Sequence, residues 1–115
     1  MKGPIYVSGP MTGMLELNFP AFNAAALRLR ALGFEVVNPA ELNPDPAAKW
    51  VDCMRQDIKA LCDCQAVATL PGWERSKGAS LEVLIAERLG MAVMPLEAWL
   101  SAEGQAQAQI AGVAA

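Results

Sequence analysis

The stretch Leu70-Pro71-Gly72-Trp73-Glu74-Arg75-Ser76-Lys77-Gly78-Ala79-Ser80-Leu81-Glu82-Val83-Leu84-Ile85-Ala86-Glu87-Arg88-Leu89-Gly90 decides how this chain is read. An apolar run, Ala66 to Leu70, stops at Pro71-Gly72. A loop with hydroxyl, cation and glycine follows, and then an apolar-periodic segment that Gly90 closes. That pattern is strand, loop, helix. In open α/β sheets, ligands sit where such loops leave the carboxyl ends of strands. Ser76, Lys77 and Gly78 stand at the helix start, where unpaired backbone N–H groups and the helix dipole favour an anion. Glu82 follows Gly78 by i,i+4 spacing and shares its side of the helix. A carboxylate at the rim of a phosphate-sized nest is the most chemically pointed feature of the sequence.

The same punctuation extends outward in both directions. Pro4 to Ser8 is a short β-rich run broken by Gly9-Pro10, a first strand buried at Ile5 and Val7. Asn18 is placed to cap a helix running to about Leu32, with Pro20 in its first turn and Gly33 as its stop. Phe34 to Val37 is a second strand ended by Asn38-Pro39, and Asn43-Pro44-Asp45-Pro46 marks a proline-rich loop. A helix from about Lys49 to Leu61 carries Trp50, Met54, Ile58 and Leu61 on one face, with Asp57 beside it. Gln65 to Leu70 is a third strand, continuously apolar as in parallel sheets covered on both faces. After the Ser76–Leu89 helix come a fourth strand, Met91 to Met94, and a short helix, Leu96 to Leu100. The alternation predicts one α/β domain over residues 1–101. Its parallel sheet has about four or five strands flanked by helices in three layers, Rossmann- or flavodoxin-like. Residues 102–115, rich in alanine, glutamine and glycine, are expected to form a flexible tail.

Composition narrows the function. At 115 residues, 54% hydrophobic and 18% charged, the chain has enough apolar residues for one domain core. A net charge of −3 argues against a nucleic-acid polymer as partner, because that needs a basic footprint. No apolar run is long enough to span a bilayer, and Met1-Lys2-Gly3-Pro4-Ile5 lacks the shape of a signal peptide, so a cytoplasmic location is expected. The high apolar content also leads us to expect a homo-oligomer. There is no histidine, which removes Ser-His and Cys-His catalysis and leaves carboxylates, Tyr6, lysines and thiols. Cys53 with Cys62-x-Cys64 lacks the fourth ligand of a zinc site, so neither a metal nor a cofactor is expected.

In a parallel sheet the loops 8–17, 38–49 and 71–77 converge on one edge. Tyr6, Ser8, Gly9, Asn38, Ser76, Gly78 and Glu82 are therefore expected to ring one cleft, within reach of the helix face carrying Asp57. Trp73, in a glycine-bounded loop, either stacks on a base or packs down as a lid. Trp50 and Trp99 read as core or subunit interface.

These residues resemble a known group. Tyr6-Val7-Ser8-Gly9-Pro10, the Asp57-Ile58 helix and Ser76-x-Gly78-x-x-x-Glu82 look like the nucleoside 2-deoxyribosyltransferase superfamily, which includes the 2′-deoxynucleoside 5′-phosphate N-hydrolases. The continuation Met11-Thr12-Gly13, Asn18-Phe19-Pro20-x-Phe22-Asn23 and Leu70-Pro71-Gly72-Trp73-x-x-Ser76-x-Gly78-Ala79 look like a set of short phage and prophage proteins. The superfamily resemblance implies an activity: hydrolysis of, or deoxyribosyl transfer from, the N-glycosidic bond of a nucleoside or nucleoside 5′-monophosphate. It implies Glu82 as nucleophile, Asp57 as the acid for the departing base and Tyr6 as the residue that positions the nucleophile. It implies Ser76 and Gly78 as holders of a 5′-phosphate, with Lys77 adding a cation. It also implies subunits that complete one another's clefts. Two positions depart from the superfamily pattern. Leu84 stands for a glycine and is expected to narrow the site, and Gln65 stands for an aspartate. These departures keep two rivals open: a nucleotide-binding module without turnover, and a phage-associated interaction domain with a vestigial cleft.

Overall fold

The computed structural model describes residues 3–101 together with Gly104 and Gly112. The tail expected over 102–115 lies, those two glycines apart, outside the described residues. Four strands, β1 (Ile5–Ser8), β2 (Val36–Val37), β3 (Ala66–Thr69) and β4 (Ala92–Pro95), pair in the order β2-β1-β3-β4, and every pairing is parallel. Five helices connect or follow them: α1 (Phe19–Ala31), α2 (Pro39–Leu42), α3 (Trp50–Leu61), α4 (Lys77–Arg88) and α5 (Leu96–Leu100). The chain moves from β1 outward to β2, then crosses β1 to reach β3 and continues to β4. Right-handed crossovers in opposite directions put their helices on opposite faces. One face carries Ile5, Val7, Ala66 and Ala68 against Phe22, Ala25 and Leu29 of α1 and Trp99 of α5. The other carries Tyr6 and Val67 against Leu61 of α3 and Ala86 of α4. This is the three-layer α/β arrangement expected. The order reverses between β1 and β3, and a crevice opens there beyond their carboxyl ends.

The sequence pattern marks Ile5 and Val7 as the buried residues of β1. The structure buries Tyr6 and Ser8 as fully, because helices cover both faces of a central strand. The second strand shrinks to Val36–Val37, with Phe34 turned into the core against Trp99, ring centroids 6.2 Å apart and edge to face. Helix α2 lies in a stretch the sequence presents as loop, because its 4 residues are too few to show a helical period.

Asn18 does not cap α1 through its side chain. It lies in the left-handed region at φ 61°, after Glu16 and Leu17 at φ 53° each, and its amide donates to the Pro10 carbonyl at 3.0 Å. Three consecutive left-handed non-glycine residues carry a conformational cost, which the surrounding bonds must offset.

Trp99 is fully buried, and its indole N–H donates to the Val67 carbonyl at 2.9 Å. Trp99→Phe removes that donor and part of the ring, so unfolding free energy should fall by about 1–3 kcal/mol. A urea midpoint equal to that of the wild-type chain would show that the indole bond contributes nothing.

Candidate active site

Side-chain alternation along β1 sets the site. Ile5 and Val7 face α1, so Tyr6 and Ser8 must face α3 and α4. Ser76 caps α4, its hydroxyl accepting from the Ala79 N–H at 3.2 Å, and this fixes where the helix begins. Glu82, in the second turn of α4, is then brought down onto β1. Its Oε2 accepts from the Tyr6 hydroxyl at 2.6 Å and its Oε1 from the Ser8 hydroxyl at 2.7 Å. Glu82 is only 4% exposed. Burial raises its carboxyl pKa above the usual value, and the Tyr6 and Ser8 bonds oppose that rise. Tyr6 is held well above its ordinary pKa, first by burial and then by the charges of Glu82 and Asp57, so it remains a donor.

Asp57 of α3 lines the same cavity as Glu82, and 6% of it is exposed. Burial and then the Glu82 charge push its pKa from 3.8 to about 7, and a hydrogen bond from Asn43 at 2.7 Å pulls the other way. The cavity, of ≈ 60 Å³, is walled by Gly9, Met11, Phe22, Pro39, Cys53 and Met54 besides the two carboxyls. It adjoins a larger hollow of ≈ 770 Å³ along Thr12, Trp50, Ser76 and Gly78. The hollow adds two cations, Arg75 and Lys77, and the apolar Pro10, Met14 and Pro71. The Lys77 ammonium lies 4.5 Å from the Trp50 ring centroid. Gly9 and Gly78 allow close packing around the cavity. A Cβ on Gly9 would lie 2.7 Å from the Leu70 Cβ, and one on Gly78 would lie 3.1 Å from the Met54 sulfur. Burial first, then Asp57, Asp52 and Asp45, raise the Cys53 thiol above its ordinary range, which disfavours the thiolate.

Several expectations need correction. Ser8, a candidate substrate-binding residue, is fully buried and turns its hydroxyl to Glu82. Asn38 was placed at the cleft. It is instead 2% exposed, accepts from the Ala40 N–H at 3.0 Å as the cap of α2, and donates to Asn23 at 2.9 Å. Trp73 lines neither the cavity nor the larger hollow. The turn Trp73–Arg75 directs it to a separate groove of ≈ 280 Å³ beside Pro95, Leu96 and Glu97. Leu84 does not narrow the site: two residues beyond Glu82 is more than half a turn of helix, and it is 48% exposed. Gln65 precedes β3, at the sheet edge opposite the crevice, so that departure also leaves the cavity untouched.

Three contributors were missed in the sequence. Trp50, read as core or interface, lines both hollows. Its signal was present, since Trp50, Cys53, Met54 and Asp57 fall on one helical face. Arg75 flanks the loop just before Ser76. Asn43 had no local signal, because its partner Asp57 is distant in sequence.

Tyr6→Phe keeps the buried ring and removes one of the two donors to Glu82. The Glu82 carboxyl should then titrate at higher pH, and stability at neutral pH should fall by about 1–2 kcal/mol. Urea unfolding at pH 5 and pH 8 checks this, because the loss should be larger at pH 8, where Glu82 must be buried as an anion with one donor fewer. An equal loss at both would show that the donor does not act on the charge.

A doubly wound parallel sheet with two buried carboxyls at its switch point defines a class: Rossmann-like α/β domains with a cleft at the carboxyl edge of the sheet. Within that class, the chain belongs to the family described as DUF4406, a domain of unknown function, whose model matches residues 3–95. No curated protein matches the sequence. No helix among the described residues is long and apolar enough to cross a membrane.

Proposed function

We propose that this protein acts on the N-glycosidic bond of a nucleoside 5′-monophosphate, as a hydrolase or a deoxyribosyltransferase, with Glu82 as nucleophile and Asp57 as acid. The observation that carries this reading is the pairing of two buried carboxyls with unlike partners. Glu82 has a hydroxyl donor on each oxygen, which favours its anion. Burial and then the Glu82 charge favour the protonated form of Asp57 near neutral pH, and a single amide donor opposes them. A carboxyl held by two hydroxyl donors, beside a second buried carboxyl that titrates at about 7, supports the nucleophile and acid assignments for covalent glycoside cleavage.

The step balances as follows. A Glu82 oxygen bonds to the anomeric carbon as the bond from that carbon to the base nitrogen breaks, and Asp57 gives its proton to the departing base. The sugar is then an ester of Glu82. In hydrolysis, water attacks the same carbon, Asp57 takes a water proton, and Glu82 leaves as carboxylate. In transfer, a second base takes the place of water. Trp50 offers an aromatic face, while Lys77, Arg75 and the N–H groups opening α4 offer a phosphate its countercharge. The motif likeness to the nucleoside 2-deoxyribosyltransferase superfamily supports the same roles.

Purified protein incubated with a panel of deoxyribo- and ribonucleoside 5′-monophosphates, with chromatography of the released base, tests the reading. No base released from any of them would overturn it. An oligomer remains part of the proposal, since Val51, Leu81 and Leu84 of α3 and α4 are exposed. Light scattering reads the assembly state, and a monomer at working concentration removes that part.

A further inference from the structure

We propose that Asn43 is a positioning residue for Asp57, occupying one carboxyl oxygen so that the acid proton resides on the other, which opens on the cavity. This rests on the reading of Asp57 as the acid. The Asn43 amide donates to Asp57 Oδ1 at 2.7 Å, and no other hydrogen bond to the Asp57 carboxyl forms among the described residues. No buried side-chain oxygen or nitrogen among them lacks a partner, so Oδ2, which has none, must touch free space. The free space that Asp57 lines is the cavity it shares with Glu82. An N–H aimed at Oδ1 opposes a proton on that oxygen, and the proton is left to Oδ2.

The backbone holds Asn43 in place for this. It ends α2, its N–H donating to the Pro39 carbonyl at 3.0 Å, and Pro44 follows and prevents another helical turn. The other ionisable groups acting around Asp57 are Glu82 from α4, Tyr6 from β1 and Cys53 one turn earlier on α3. None of these is cationic. Asn43 is therefore the one neighbour whose hydrogen bond moderates the carboxyl, and the one that distinguishes its two oxygens.

Carboxyl carbon NMR on protein labelled with ¹³C-aspartate reads the titration of Asp57 directly, with Asp57→Asn identifying its resonance. Asn43→Ala should raise the midpoint by about 0.5–1 pH unit. Asn43→Asp, of the same shape, should raise it further by setting a third carboxyl beside the pair. In base release, Asn43→Ala should lower kcat by about 10–100-fold. The basic limb of its pH profile should move upward by the same interval as the NMR midpoint. A misplaced loop would depress activity at every pH and leave that limb where it was. An unmoved midpoint in folded Asn43→Ala overturns the proposal, as does an activity loss with the limb in place. Should Asn43→Ala fail to fold, the Asn43→Asp midpoint decides in the same way. If the unmodified protein releases no base, the glycosidic reading falls on its own, and the midpoint still decides the role of Asn43.

Discussion

Glu82→Gln should reduce base release by about 10⁴-fold or more while leaving the protein folded. The amide keeps the length and shape of the side chain. The Tyr6 and Ser8 hydroxyls that donate to the two carboxylate oxygens can rotate to accept from an amide nitrogen instead. What the amide lacks is the charge and nucleophilicity needed to bond to the anomeric carbon. Stability at neutral pH should hold or rise. The folded-state pKa of Glu82 is raised by burial, so its contribution to stability is lost as pH climbs through that value. A neutral side chain removes the loss. Chromatography of released base and urea unfolding at pH 8 check the two halves. Turnover by Glu82→Gln within tenfold of the unmodified protein would remove Glu82 as nucleophile.

Asp57→Asn should show opposite signs in activity and stability. Loss of the acid should reduce turnover by about 10²–10⁴-fold and remove the basic limb that Asp57 imposes near pH 7. Stability should move the other way. The Asp57 pKa is raised from 3.8 to about 7, so the stability this group contributes is fully present below about pH 4 and lost as pH rises through about 7. Asparagine has nothing to lose over that window and can still accept from Asn43. The variant should therefore be more stable than the unmodified protein by about 1–3 kcal/mol at pH 8, with little difference at pH 4. Because the two carboxyls titrate as a pair, Glu82 should also ionise at lower pH in this variant. Urea midpoints across pH 4 to 8 measure the effect. Parallel pH dependences for the two proteins would show that Asp57 is not held above its ordinary range.

The sequence made the fold legible because its signals were local. Leu70 to Gly90 shows a strand ending, a helix beginning and a glycine stop, and the structure has them within a residue or two. Glu82 was recognisable from its spacing to Gly78. Ser8 was placed at the cleft and not recognised as a partner of Glu82, since that bond spans most of the chain. Asn38 and Trp73 were misplaced for a common reason. Asn38 caps and Trp73 opens a short turn of helix, Pro39–Leu42 and Trp73–Arg75, too brief to leave a period yet enough to decide where the side chain goes. Leu84 was misread by adjacency in sequence, where the relevant measure is the angle around α4.

What the sequence alone determined is the order of elements and the class of fold, because hydrophobic periodicity, proline and glycine act within a few residues. What only the tertiary structure decided is the chemistry of the two carboxyls. Their burial and mutual charge arise because the crossovers through α3 and α4 lie on the same face of the sheet as Tyr6 and Ser8. A carboxyl's pKa depends on the water it loses and the donors it meets, and both come from parts of the chain far away in sequence.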